Sequence, residues 1–160
     1  MSKAFIALPA VLALVACGQG PAPLDGSLVD FAPNDFTYTV STIAMVQNTL
    51  VLRFQRARGT QFDTVLKVAV EIDGPAPDHP EQFDLAEMVN GGPRGVASRN
   101  VYMDMNSMLP PIMRGNLALS GAMAGQTKVA GTVSMTFVQG DVYGSGRAIF
   151  GPFDAEVVMQ

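Results

Sequence analysis

The sequence predicts a mainly β fold: an antiparallel β-sandwich or barrel-like domain with one short helix. Three observations predict it. Apolar residues recur at every second position through most of the chain, which lines one face of a pleated strand. Short turn signals separate the alternating runs. Strand-like and helix-like segments do not alternate regularly, so a parallel sheet built from βαβ units is not indicated.

The strands follow in order. Phe36, Tyr38 and Val40 alternate with Thr37 and Thr39, and Leu50, Leu52 and Phe54 alternate with Val51, Arg53 and Gln55. Leu66, Val68, Val70 and Ile72 form a third run. Val101, Met103 and Met105 form a fourth, and Leu117 with Leu119 a fifth. The clearest run is Val129, Gly131, Val133, Met135 and Phe137, set against Ala130, Thr132, Ser134 and Thr136. Ala148 and Phe150 open the last run. Gly151-Pro152 then intervenes, and Phe153, Ala155 and Val157 resume with opposite parity, which predicts a bulge or an edge kink. Asn34-Asp35, Gln47-Asn48, Arg58-Gly59, Ala124-Gly125 and Gln139-Gly140-Asp141 supply the turns.

The predicted helix starts at Pro80. Asp78 or His79 can cap it, Pro80 suits its first position, and Glu81 complements its dipole. Phe83, Ala86 and Met88/Val89 give a short apolar stripe, which Asn90-Gly91-Gly92-Pro93 ends. A weaker helical or turn segment is expected over Leu109–Gly115, after Pro110-Pro111.

Composition limits the function. The 160 residues are 48% apolar and 15% charged, too apolar for a disordered chain and of a length that suits one domain. A single Cys excludes an internal disulfide and a cysteine-based zinc cluster. Ten Lys+Arg against 14 Asp+Glu argue against a nucleic-acid partner.

The N-terminus carries the sharpest signal. Met1-Ser2-Lys3 is a short basic start, and Ala4 to Ala16 is apolar apart from Pro9. Such a run covers about 20 Å as a helix, against a hydrocarbon core of about 30 Å, so it suits a signal peptide better than a membrane span. The run ends in Leu14-Val15-Ala16-Cys17, which resembles the lipobox of bacterial lipoproteins. The resemblance covers about 17 residues and implies lipidation of Cys17 after removal of residues 1–16. In Gram-negative lipoproteins an Asp after the Cys favours the inner membrane, so Gly18 implies the outer membrane. The alternative is an ordinary secretory signal cut near Val15-Ala16. The expected organisation is thus 1–16 signal peptide, 17–24 lipidated Cys and flexible tether, and 25–160 a single β-rich domain. Gly18-Gln19-Gly20-Pro21-Ala22-Pro23 suits an extended tether.

Several residue groups could carry chemistry, each with a structural alternative. His79 is the sole imidazole and stands in a Pro-rich loop, and no Gly-x-Ser-x-Gly elbow occurs. Asp73, Asp78, Asp84 and Glu87 could pair as hydrolytic carboxylates, or Asp73 and Asp78 could bind Ca²⁺, but turns and caps use the same residues. Met103, Met105, Met108 and Met113 resemble the methionine motifs of periplasmic copper proteins. Met also fills ordinary cores. Arg53, Arg56 and Arg58 could face lipid or an acidic polymer, or simply protect a strand edge. Gly91-Gly92-Pro93-Arg94-Gly95 lacks the Lys-Ser/Thr of a phosphate loop. No catalytic set, metal site or cofactor is therefore predicted. The expected function is a non-enzymatic, lipid-anchored envelope protein that binds a protein or glycan or serves a structural role. The alternatives are a metal-binding or hydrolytic envelope protein, and a hydrophobic-ligand carrier.

Overall fold

The computed structural model describes residues 21–103, 109–140 and 143–159. The chain opens with helix α1 (Ser27–Phe31) and a 3₁₀ turn (Pro33–Asp35). Ten strands follow among the described residues: β1 (Val40–Val46), β2 (Thr49–Arg58), β3 (Gln61–Glu71), β4 (Glu81–Asp84), β5 (Met88–Val89), β6 (Gly92–Pro93), β7 (Gly95–Asn100), β8 (Ile112–Leu119), β9 (Lys128–Phe137) and β10 (Ala148–Val157). Eight of them form one sheet in the order β4-β8-β9-β10-β1-β2-β3-β7, and β5 pairs with β6 as a small hairpin. The fold is mainly β, with the sheet bent round a single core.

The sheet is mixed rather than wholly antiparallel. β1 runs parallel to β10 through Thr42↔Glu156 and Ile43↔Val157, while the other pairings are antiparallel. The two edges of the sheet meet at Leu85. Its N–H donates to the Gly115 carbonyl of β8, and its carbonyl accepts from Gly95 N–H at the head of β7, both at 2.9 Å. The closeness of this seam explains Gly95, since a Cβ there would stand 2.7 Å from the Leu85 Cβ.

Alternation places the core. Along β9 the buried residues are Val129, Gly131, Val133, Met135 and Phe137, as the sequence predicts. Opposite them, β2 and β3 bury Leu50, Leu52, Phe54, Leu66, Val68 and Val70. Phe54, Phe137, Leu117 and Ile149 are fully buried and fill the interior between the strands. Leu28 of α1 joins this core completely, and Gly26 lets the helix approach β10, where a Cβ would meet the Ala148 carbonyl oxygen at 2.6 Å.

The chain is seated on the body earlier than a tether through residue 24 implies. Leu24 is buried, Tyr38 Oη donates to the Ala22 carbonyl at 2.5 Å, and Asp25 and Phe150 exchange two backbone hydrogen bonds. Pro21–Asp25 thus acts as a short strap along the first half of β10.

Several local expectations are corrected. The segment expected as a helix from Pro80 is β4 followed by the β5–β6 hairpin. Phe83 and Leu85 are buried while Gln82 and Asp84 are exposed, so its period is 2. Asn90-Gly91 is not a helix stop but the two-residue loop of that hairpin, with φ of 49° and 85°. Among the described residues the α-helix is α1 instead. Leu109–Gly115 leads into β8 rather than into a helical turn. Only Val40 of the first predicted run lies in a strand, because Phe36 ends the 3₁₀ turn. Val101–Met103 is irregular, with Met103 at φ 60° and 85% exposed, and Met105 lies outside the described residues. The strand there is β7, just before it. Finally, β10 passes Gly151-Pro152 without a bulge. Its register with β9 is unbroken, and Ile149, Gly151, Phe153 and Ala155 all face inward, leaving Phe150 outside.

Candidate binding surface

The candidate residues named by sequence do not converge among the described residues. Cys17, Gly18, Met105 and Met108 lie outside them. Asp78 and His79 pair with each other at 2.6 Å, both strongly exposed. That hydrogen bond lowers the Asp78 carboxyl and raises the His79 imidazole. Asp84 Oδ1 accepts from Ala86 N–H at 2.9 Å, a turn-capping bond, and Glu87 pairs with Arg94 at 2.8 Å. No group of three or more His, Cys, Asp or Glu that could hold a metal occurs among the described residues. Met113 is on β8 and half-exposed, while Met103 sits in a turn.

The three arginines are divided by the fold. Arg56 donates to the Asn34 carbonyl at 2.7 Å. Arg58 reaches Asp63 at 3.1 Å and Gln61 at 2.8 Å, and its guanidinium lies 4.2 Å from the Tyr102 ring centre. Burial raises Asp63, but Tyr102 N–H and Arg58 outweigh it, so the carboxyl is held below its usual range. Arg53 alone stays on the outer face of the sheet.

One cluster carries no sequence signal. Arg99 of β7 has a side chain 1% exposed and donates to Tyr143 Oη at 2.9 Å. Tyr143 Oη donates in turn to Asp35 Oδ2 at 2.8 Å, and Arg99 lies 4.7 Å from the Phe36 ring centre. Burial, then the bond to Asp35, push the Tyr143 hydroxyl up to about 12. These residues tie the 3₁₀ turn, β7 and the Tyr143 loop together. A buried, paired arginine of this kind holds parts in register.

The surface best suited to a ligand is the outer face of β4, β8, β9 and β10. Register places Asp84, Asn116, Ser134 and Phe150 in one row across the four strands. Gln82, Ala118, Thr132 and Pro152 form the next row. Amides, hydroxyls and an aromatic ring therefore share a broad sheet face, with Phe150 45% exposed. Arg114 borders it and donates to Thr136 Oγ1 at 3.4 Å. The alternation in β9 and β10 keeps these groups outside because their neighbours fill the core. At the far end, a cleft of about 480 Å³ opens where β1 and β10 diverge, lined by Pro21, Ser41, Lys128 and Asp154 among others. Comparison with family models, curated proteins and solved structures finds no match to this chain.

Proposed function

We propose that this chain is a lipid-anchored envelope protein, held through Cys17 in the outer membrane of a Gram-negative cell, whose β domain is a non-catalytic module that binds an envelope glycan. The observation that supports the binding reading is the row Asn116–Ser134–Phe150 with Gln82 and Thr132 beside it. Sugars present hydroxyls that both donate and accept. Asn, Gln, Ser and Thr side chains do the same without a net charge. The exposed Phe150 ring offers an apolar platform for the carbon face of a sugar ring. Rigid strands hold these groups in place, so little ordering cost is incurred on binding.

The experiment is co-sedimentation of the purified mature protein with insoluble envelope glycan. Phe150→Ala and Asn116→Ala should each lower retention about fivefold, the ratio for roughly 1 kcal/mol. Absence of wild-type retention, or equal retention by both variants, overturns the glycan reading. Retention lost after protease treatment of the matrix would point to a protein ligand instead. Radiolabelled palmitate and the mass of the N-terminal peptide test the anchor separately.

A further inference from the structure

The outer face of the other half of the sheet carries two cations that the fold sets directly against each other. Arg53 of β2 is the cross-strand partner of Lys67 of β3, fourteen positions later in sequence. Both are partly buried, and neither has an acidic partner among the described residues. Like charges directly opposite each other destabilise a sheet. The nearest acids on that face do not relieve them: Glu156 stands beyond Thr42, and Glu71 accepts from Asn90 Nδ2 at 2.6 Å. The row next to the cations is apolar: Ala44 and Val51 are buried, Ala69 is partly buried, and Val96 at the β7 end is half-exposed.

Position relative to the chain's entry makes this face specific. Pro21, the first described residue, shares a cleft with Val40 and Ser41 of β1. Strands lie about 4.8 Å apart, so Arg53 is one strand and Lys67 two strands in from β1, roughly 5 and 10 Å. Cys17 precedes Pro21 by four residues, which reach at most about 14 Å. A bilayer holding Cys17 is therefore within reach of this face. We infer that the β1–β2–β3–β7 face lies against the anchoring bilayer, with Arg53 and Lys67 on anionic phospholipid headgroups and the half-exposed Val96 beside them. This rests on lipidation of Cys17. The occupant is chosen on charge and reach: a cation pair without an acidic partner among the described residues, beside the exposed Val96, fits an anionic surface already tethered a few residues away.

The test uses the lipidated full-length mature protein in nanodiscs, one set of phosphatidylcholine and one mixed with phosphatidylglycerol. Lys67 and Lys128 are the two lysines left once residues 1–16 are removed. Their reaction with a water-soluble amine-acylating reagent is read by mass spectrometry. Lys67 should label about fivefold more slowly on the anionic discs than on the phosphatidylcholine discs and recover at high salt. Arg53→Gln should speed Lys67 labelling on anionic discs, and it should not lower the melting temperature because it removes a like-charge contact. Equal Lys67 labelling on both lipids, with Cys17 shown to be lipidated, overturns this inference alone. A Cys17 peptide without lipid overturns the inference and the anchor together.

Discussion

Gly131→Ala tests how tightly the β8–β9–β10 core is closed. Gly131 lies in the inward row of β9, between Leu119 of β8 and Phe153 of β10. A Cβ there would stand 2.2 Å from the Ala118 carbonyl oxygen and 2.5 Å from the tip of the Phe153 ring. The ring can turn aside, but the oxygen belongs to a neighbouring strand and cannot move without shifting the ladder. Overpacking of this kind costs roughly 1–3 kcal/mol, and the backbone contact puts this site at the upper end, about 3 kcal/mol. For a domain of this size that lowers the melting temperature by about 10 °C, followed by circular dichroism. Gly121→Ala is the control, because a Cβ there meets nothing within 4 Å. Phe153→Leu added to Gly131→Ala should recover the part due to the ring and leave the part due to the oxygen. A Gly131→Ala protein that melts within about 2 °C of the wild type refutes this account of the core.

Tyr143 sets a pH dependence at the alkaline end. Its hydroxyl is raised from 10.0 to about 12 in the fold, so the neutral form is favoured there. Its stabilising contribution is complete below pH 10 and declines as pH rises from 10 to 12, because the unfolded chain ionises first. Denaturant midpoints across that window should fall in the wild type and fall less in Tyr143→Phe. Asp63→Asn, which weakens the bonds to Arg58 and Tyr102 N–H, should cost about 1–2 kcal/mol in urea unfolding; no change would mean that these bonds add nothing net. Gln47 holds φ 54° in the β1–β2 loop, so Gln47→Gly should stabilise by up to about 1 kcal/mol. A lower melting temperature in that variant would show that the Gln side chain contributes more than the strain it bears.

Strands were legible where burial is one-sided and the run is long. The Val129–Phe137 pattern locates β9 and its inward face, because each outward neighbour is small or polar. Legibility failed where a few residues serve two patterns. Asp78-His79-Pro80 looks like a helix start, and Phe83, Ala86 and Met88 can be read at helical spacing. The buried Leu85, hydrogen-bonded to β8 on one side and β7 on the other, shows that the segment is extended instead. At Gly151 the absent side chain hides an inward position, so the apolar pattern follows Phe150 instead, which is exposed. The true helix, Ser27–Phe31, is five residues long without a side-chain cap, too short for periodicity to reveal. Among candidate groups, the arginine triplet was visible in sequence, but its division was not. Arg56 and Arg58 are bound by Asn34 and Asp63, and Arg53 is joined by a lysine from the next strand.

The β class, most inward faces and the resemblance of residues 1–17 to a lipoprotein signal are all written in short stretches of sequence. These are local properties, set by side chains within a few positions of one another. Tertiary structure decided the parallel β1–β10 pairing, the seam at Leu85, and the meeting of Asp35, Arg99 and Tyr143. It also set Arg53 against Lys67 and ranged Asn116, Ser134 and Phe150 across three strands. Strand order and register depend on contacts between distant segments that must all be satisfied together, and no local pattern encodes which distant partners those are.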